Sequence, residues 1–363
     1  MVRVQTLEAF WEGRNNNFTL LRMIGALFIM FAHAVFITIG DDISFDTYPV
    51  AYTFGITTLN LFFVLSGLLV TASWMHRQCL ITFVMARVLR IIPGLMLVAF
   101  VCAFLLGPLM SSYSFTAYFS DMRTWLYWPG TTMLSADMRL PGVFVGLPND
   151  REVNAPLWTL KYDAVLYVGV AIAGMLGWYA RRPFAVLAGL ALAGYFIVTF
   201  FTDLRSIAAI DHLMHFGYAF LIGTVVFLYK RFVPIHLGLA VVSLGVSCLA
   251  VFWFGLQAAE FLLIPSAALL GLWVAYVPDG AVRAYNGLGD YSYGLYIWHY
   301  PVEQVMRTQF ESVSAWQLFL ISLPVVLPLV ICSWHFVERP CLMRVRSISE
   351  KIKGWRLVQT RRA

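Results

Sequence analysis

Arginine and histidine stand inside the first long apolar run of the chain, FTLLRMIGALFIMFAHAVFITI over residues 18–39, as Arg22 and His33. Ten residues intervene, so at about 3.6 residues per turn a helix presents both on one face, about 16 Å apart along its axis. Ionisable groups at membrane depth are costly and face polar cavities, which makes the pair a candidate functional site. A second apolar run opens with LWTLKYD, residues 157–163. Counted from the same end of their helices, His33 and Asp163 both lie about six residues in, roughly 9 Å, and so at similar depths. A carboxylate beside an imidazole fixes its tautomer and raises its basicity, as suits a general base that takes a proton from a hydroxyl. Arg87 and Arg90 follow in ITFVMARVLRIIP. Spacing of three puts their guanidiniums on one helical face, where they can bind phosphate oxygens in bidentate fashion. Together with Arg22 they would form an anion site at the mouth of a tunnel toward His33. Ordinary enrichment of arginine in cytoplasmic segments produces such a pair as well.

The elements that must position these groups are membrane helices. Of the 363 residues, 60% are hydrophobic and only 12% charged, against about 25% in soluble domains, and the mean hydropathy is +0.76. The sequence predicts an all-α polytopic membrane protein with about ten transmembrane helices in one bundle, because stretches of about 20 apolar residues suffice to cross a bilayer. The spans fall near residues 18–39, 54–73, 91–110, 157–179, 183–201, 211–229, 233–254, 259–277, 290–310 and 316–338. The ninth is the most polar, with Tyr291, Ser292, Tyr293, His299, Glu303 and Arg307. No cleaved signal peptide is expected at the polar N-terminus, and the first span would itself direct insertion.

Net charge is +6 and the pI near 9.1, an excess that follows topology rather than an anionic partner. With the N-terminus inside, only Arg123, Arg139, Arg151, Arg205 and Arg307 of the 25 lysines and arginines fall outside. Both termini are thus expected in the cytoplasm. Residues 1–17 read as a cytoplasmic or interfacial segment, 18–338 as the transmembrane domain and 339–363 as a basic tail suited to anionic lipid. The one long connection, 111–156, is outer. Its YFSDMRTWLYWP stretch suits an interfacial helix, a lid over a cavity, or a loop resting on the lipid headgroups.

Other motifs carry weaker signals. Ser66 and Gly67 in FFVLSGLLV permit close helix packing, or leave room for a slender substrate arm; nothing resembles a strained nucleophile turn. YSYGLYIWHYPV, residues 291–302, offers Tyr293 and His299 to a cavity, although interfacial aromatics are an ordinary feature of membrane proteins. His335 and Glu338 are read as structural hydrogen-bonding partners. His212 and His215 have the spacing of a metal pair without an evident third ligand, and no metal is expected. Five scattered cysteines suggest neither a disulfide framework nor a zinc site.

Taken together, these strings resemble the membrane acyltransferase-3 family. The resemblance lies in Arg22 with His33, FFVLSGLLV, RVLRIIP at 87–93, LWTLKYD, SYGLYIWHYPV and HFVERP at 335–340, and it extends from residue 18 to about 340. It implies a ten-helix bundle that takes acetyl-CoA from the cytoplasm and delivers the acyl group to a carbohydrate hydroxyl. It further implies a catalytic role for His33, an essential role for Arg22 and contacts from Arg87 and Arg90 to the phosphates of CoA. Many relatives carry glutamate where this chain has Asp163, whose side chain reaches one methylene less. Transfer from an activated thioester requires positioning, a base and donors for the developing oxyanion. His33 is the expected base and Asp163 its orienting partner, with Trp158, Tyr162, Tyr293 and His299 as substrate contacts. Direct transfer and an acyl-histidine intermediate both remain open.

The expected function is O-acetylation of a bacterial exopolysaccharide, O-antigen or lipid-linked glycan precursor at the inner membrane. Its expected partners are that glycan and membrane lipids, with no nucleic acid. The alternative is a transporter or flippase of a lipid-linked sugar, in which Arg22, His33 and Asp163 bind substrate or relay protons. Arg87 and Arg90, useful for a nucleotide-bearing donor, and the lack of an evident inverted repeat favour the enzyme. A third reading keeps the chemistry and changes the acceptor to a small lipidated oligosaccharide, antibiotic or peptidoglycan unit.

Overall fold

The computed structural model describes residues 5–11, 15–40, 49–135, 139–147 and 152–345. The expected tail lies outside the described residues beyond Val345, as do Arg3, Arg14 and Arg151. No strand occurs among the described residues. A short α1 (Leu7–Trp11) precedes α2 (Phe18–Ile39) and α3 (Pro49–Arg77). Next, α4 (Leu80–Val101) runs through a π turn at Cys102–Leu106 into α5 (Gly107–Met110). The long connection forms α6 (Phe115–Ser120) and α7 (Met122–Thr132). A 3-10 turn at Ala155–Thr159 leads into α8 (Leu160–Met175), followed by α9 (Arg181–Phe201), α10 (Ala208–Leu228) and α11 (Leu237–Tyr276). The chain continues through α12 (Ala281–Ala284), α13 (Ser292–Gln309) and α14 (Ala315–Ser333).

All ten expected spans fold as helix, and α2 coincides with the apolar run that defines it. Eight helices among the described residues are long and apolar enough to cross a membrane. The two exceptions are α8, only 16 residues long, and α13, which buries Ser292, His299, Glu303 and Gln304 together with its apolar residues. A helix that hides polar groups inside the protein has no need of an apolar circumference. In α11, two spans are joined at Gly255, whose φ of 78° breaks the helix where a side chain would be strained.

Helix α4 begins at Leu80, eleven residues before the expected span. Arg87 and Arg90 interrupt the apolar window, yet an amphipathic start costs a helix nothing when its charged turns reach the interface. The two arginines therefore sit two turns inside α4, on a 31-residue helical stretch from Leu80 to Met110.

The expected single bundle resolves into two compact units built from segments remote in sequence. The first comprises Met1–Ile29, Ser44–His76 and Tyr162–Asp290, the second Met30–Ile43, Arg77–Lys161 and Tyr291–Ala363. In the first, Leu21, Leu65, Leu68, Phe227, Leu272 and Tyr276 form a buried core. Gly67 and Gly223 bring α3 and α10 into backbone contact: a Cβ on Gly67 would lie 2.0 Å from the Phe220 carbonyl oxygen, and one on Gly223 1.9 Å from that of Val64. The packing role of the Ser66-Gly67 step is thus explicit. Gly67→Ala should force the helices apart and cost about 1–3 kcal/mol of stability, as overpacking does. A lower thermal midpoint in detergent checks this; an unchanged midpoint would contradict it.

In the second unit, Ala34, Ile37, Ala155, Tyr300 and Leu318 form a core. Helices α6 and α7 pack on α4 and its π extension through Tyr118 Oη donating to the Ala103 carbonyl (2.8 Å) and Trp128 Nε1 to that of Met96 (3.0 Å). Phe115, Met122, Trp125 and Leu126 are left exposed, as an interfacial helix requires. Asp121 caps α7 by accepting from Arg123 N. The Arg123 guanidinium, 2.6 Å away, holds its carboxyl below the usual range. The cap therefore persists above that depressed value and is lost only as pH falls through it.

Candidate active site

Helix α2 carries His33 half-buried into the second unit. Its Nδ1 lies 3.2 Å from Nε2 of His299 on α13. The two rings are tilted with centroids 5.1 Å apart, and Tyr300 meets His33 edge-on at 5.5 Å. His299 itself is fully buried, and its Nδ1 lies 2.9 Å from the Leu295 carbonyl oxygen one turn back.

The chain segment before α8 is laced to α13. Asn154 donates to the Ile297 carbonyl (2.9 Å), Gln304 to that of Glu152 (3.1 Å), and Thr159 Oγ1 lies 2.6 Å from Tyr296 Oη. These bonds hold α13 in rotation about its axis and so aim His299 at His33. Trp158 lies within the 3-10 turn of this segment, half-buried.

On the same α13, Tyr293 donates to the Ile91 carbonyl of α4 (2.6 Å), and the Arg90 guanidinium lies 5.6 Å over its ring. Arg87 lies over Phe83, 3.7 Å from the ring, and donates to the Phe83 carbonyl. Gly94 leaves room where α4 meets Tyr293, Ile297 and Glu338. Glu338, buried, accepts from Ser333 Oγ (2.8 Å), and His335 Nε2 lies 3.2 Å from Tyr291 Oη. His335 and Glu338 thus each meet a hydrogen-bonding side chain of a neighbouring residue.

The other predicted residues lie in the first unit. Arg22 forms an ion pair with Asp290 at 2.9 Å, both partly exposed, so its cation has a resident carboxylate. Asp163 accepts hydrogen bonds from Ser66 and Tyr167. Within the second unit, the partner seen at His33 Nδ1 is an imidazole of α13. Tyr162, buried, meets His212 Nδ1 at 3.3 Å. His215 pairs instead with Glu260 (3.0 Å), which also accepts from Tyr195 and Arg205, so the two histidines of the i, i+3 pair face different partners.

Sequence reasoning missed Asp290, the direct His33–His299 contact and Glu303. Glu303 is fully buried, and neither of its carboxylate oxygens finds a hydrogen-bond partner among the described residues. A carboxylate one turn after His299 within an expected span is the available signal.

The described residues thus form a helical membrane protein in which a half-buried histidine meets a second imidazole of α13, and α13 also carries the tyrosine under the Arg90 guanidinium. The chain belongs to the acyltransferase-3 family, whose acyltransferase domain matches residues 15–336; it is a membrane acyltransferase. It is similar to Nodulation protein 10 of Rhizobium leguminosarum bv. viciae, with 24% identity over 91% of this chain and 94% of that protein. It is likewise similar to an O-acetyl transferase of Shigella phage Sf6, with 25% identity over 91% of this chain and 97% of the phage protein. No solved structure matches it significantly.

Proposed function

We propose that this acyltransferase moves an acetyl group from cytoplasmic acetyl-CoA to a hydroxyl of a bacterial exopolysaccharide, O-antigen or lipid-linked glycan precursor, and that it works in the inner membrane with both termini in the cytoplasm. The observation that carries the reading is His33, half-buried and with its Nδ1 3.2 Å from Nε2 of a buried histidine. The similarity to an O-acetyl transferase supports the choice of group.

In this mechanism the acceptor hydroxyl oxygen attacks the thioester carbonyl carbon while His33 Nε2 takes the hydroxyl proton. The carbon–sulfur bond then breaks, and the proton is returned to the CoA thiolate. Arg87 and Arg90 hold donor phosphates by charge-assisted hydrogen bonds, and Arg22 adds a cation balanced by Asp290. Trp158, Tyr162 and Tyr293 are assigned to substrate contact, and Asp163 to a catalytic role. No metal is required.

Deletion of the gene in its host, followed by NMR of envelope and secreted glycans, tests the function. The expected result is loss of an O-acetyl signal from one glycan whose export is unchanged. Loss of glycan export with acetylation intact would overturn the reading in favour of transport.

A further inference from the structure

We infer that His299 is a positioning residue that fixes the tautomer of His33 and accepts a hydrogen bond from it while His33 holds the proton taken from the acceptor. The inference rests on the reading of His33 as the base and goes beyond it by assigning the state in which that base is held.

The derivation starts at a backbone carbonyl. Leu295 O can only accept, so the hydrogen bond at 2.9 Å places the proton of His299 on Nδ1. A neutral imidazole has one N–H, which leaves Nε2 of His299 with a lone pair. That lone pair faces Nδ1 of His33 at 3.2 Å, and a hydrogen bond there requires the proton on His33. His33 is thereby held as the Nδ1–H tautomer, with its lone pair on Nε2. An imidazole without this restraint carries its proton mainly on Nε2, with the wrong nitrogen basic for a substrate on that side.

Full burial of His299 excludes it from direct substrate contact and keeps water from competing for its Nε2. When His33 Nε2 gains the hydroxyl proton, His299 Nε2 continues to accept from the Nδ1–H of the imidazolium and stabilises its added charge through that hydrogen bond. Release of the Nε2 proton to the thiolate restores the neutral Nδ1–H form of His33. The ionisable groups about the pair are Tyr296, Tyr300 and Glu303 of α13 itself, and Glu152, whose Oε2 accepts from Tyr300 at 3.5 Å. Glu303, one turn beyond His299 and buried without a hydrogen bond among the described residues, supplies a carboxyl on the same helix face.

The test is nitrogen-15 NMR of protein labelled at its histidine rings in lipid nanodiscs, with the His33 signals identified by their absence from His33→Gln. Expected is a neutral His33 protonated on Nδ1, converting to the Nε2–H form in His299→Phe. His299→Gln should keep the Nδ1–H form, because its amide oxygen accepts at the same place. In parallel, kcat should fall about 10²- to 10⁴-fold in His299→Phe with KM for donor and acceptor within about twofold, and His299→Gln should recover at least about tenfold of that loss. An Nε2–H His33 in the wild type, or a tautomer unchanged in His299→Phe, would overturn the inference. The wild-type spectrum decides even if the phenylalanine variant misfolds. If the tautomer behaves as stated but His33→Ala still transfers acyl groups, the base assignment falls and the tautomer lock stands.

Discussion

His33→Ala should lower acyl transfer by about 10²- to 10⁴-fold, the contribution of a positioned general base, with donor binding retained. The truncation removes the nitrogen that meets the acceptor proton. It also strips His299 Nε2 of its partner in a fully buried position, which costs about 1–3 kcal/mol of stability. Transfer must therefore be measured on protein shown to be monodisperse and helical. His33→Gln separates the two effects, since its amide can still donate to His299 but cannot act as a base. It should restore the thermal midpoint and leave transfer as low as in His33→Ala. Wild-type transfer in either variant would end the catalytic assignment.

Replacing Arg87 and Arg90 together by alanine should act on the other substrate. Hydrogen bonds to charged groups contribute about 1.5–3 kcal/mol each, so loss of both guanidiniums should raise KM for acetyl-CoA by about 10- to 100-fold and leave kcat at saturating donor largely intact. Lysine at both positions keeps the charge and loses the bidentate geometry, and should fall between wild type and the double alanine variant. Titration of acetyl-CoA in proteoliposomes checks this. An unchanged dependence on acetyl-CoA would remove the arginines from the donor site.

Much of the architecture was legible because burial in lipid leaves a plain mark on sequence. An apolar run such as 18–39 has one stable outcome, and α2 occupies it from end to end. Segments that mix roles were harder. The start of α4 at Leu80 was hidden by Arg87 and Arg90, which a window of apolar residues treats as an interruption. α13 was recognised as the most polar span, but its polarity faces inward, and no single sequence tells which helix receives it. Long-range pairings escaped for the same reason. Asp290 lies 268 positions from Arg22 and His299 266 from His33, so neither contact has a local signature. Depth matching, which proposes Asp163 as a partner for His33, uses one coordinate only. The hydrogen bond at His33 Nδ1 depends on helix rotation as well, and the ties from Asn154 and Gln304 to α13 and Glu152 set that rotation.

The central claim is that the membrane unit alone completes acyl transfer through His33. Its most direct test reconstitutes the purified chain in proteoliposomes with acetyl-CoA labelled in the acetyl group and a purified host glycan fraction as acceptor. The predicted result is label in base-labile ester linkage to the glycan, formed by wild type and absent with His33→Gln. Equal labelling by the two proteins, or no esterification by a folded wild-type chain that moves lipid-linked sugar between leaflets, would contradict it.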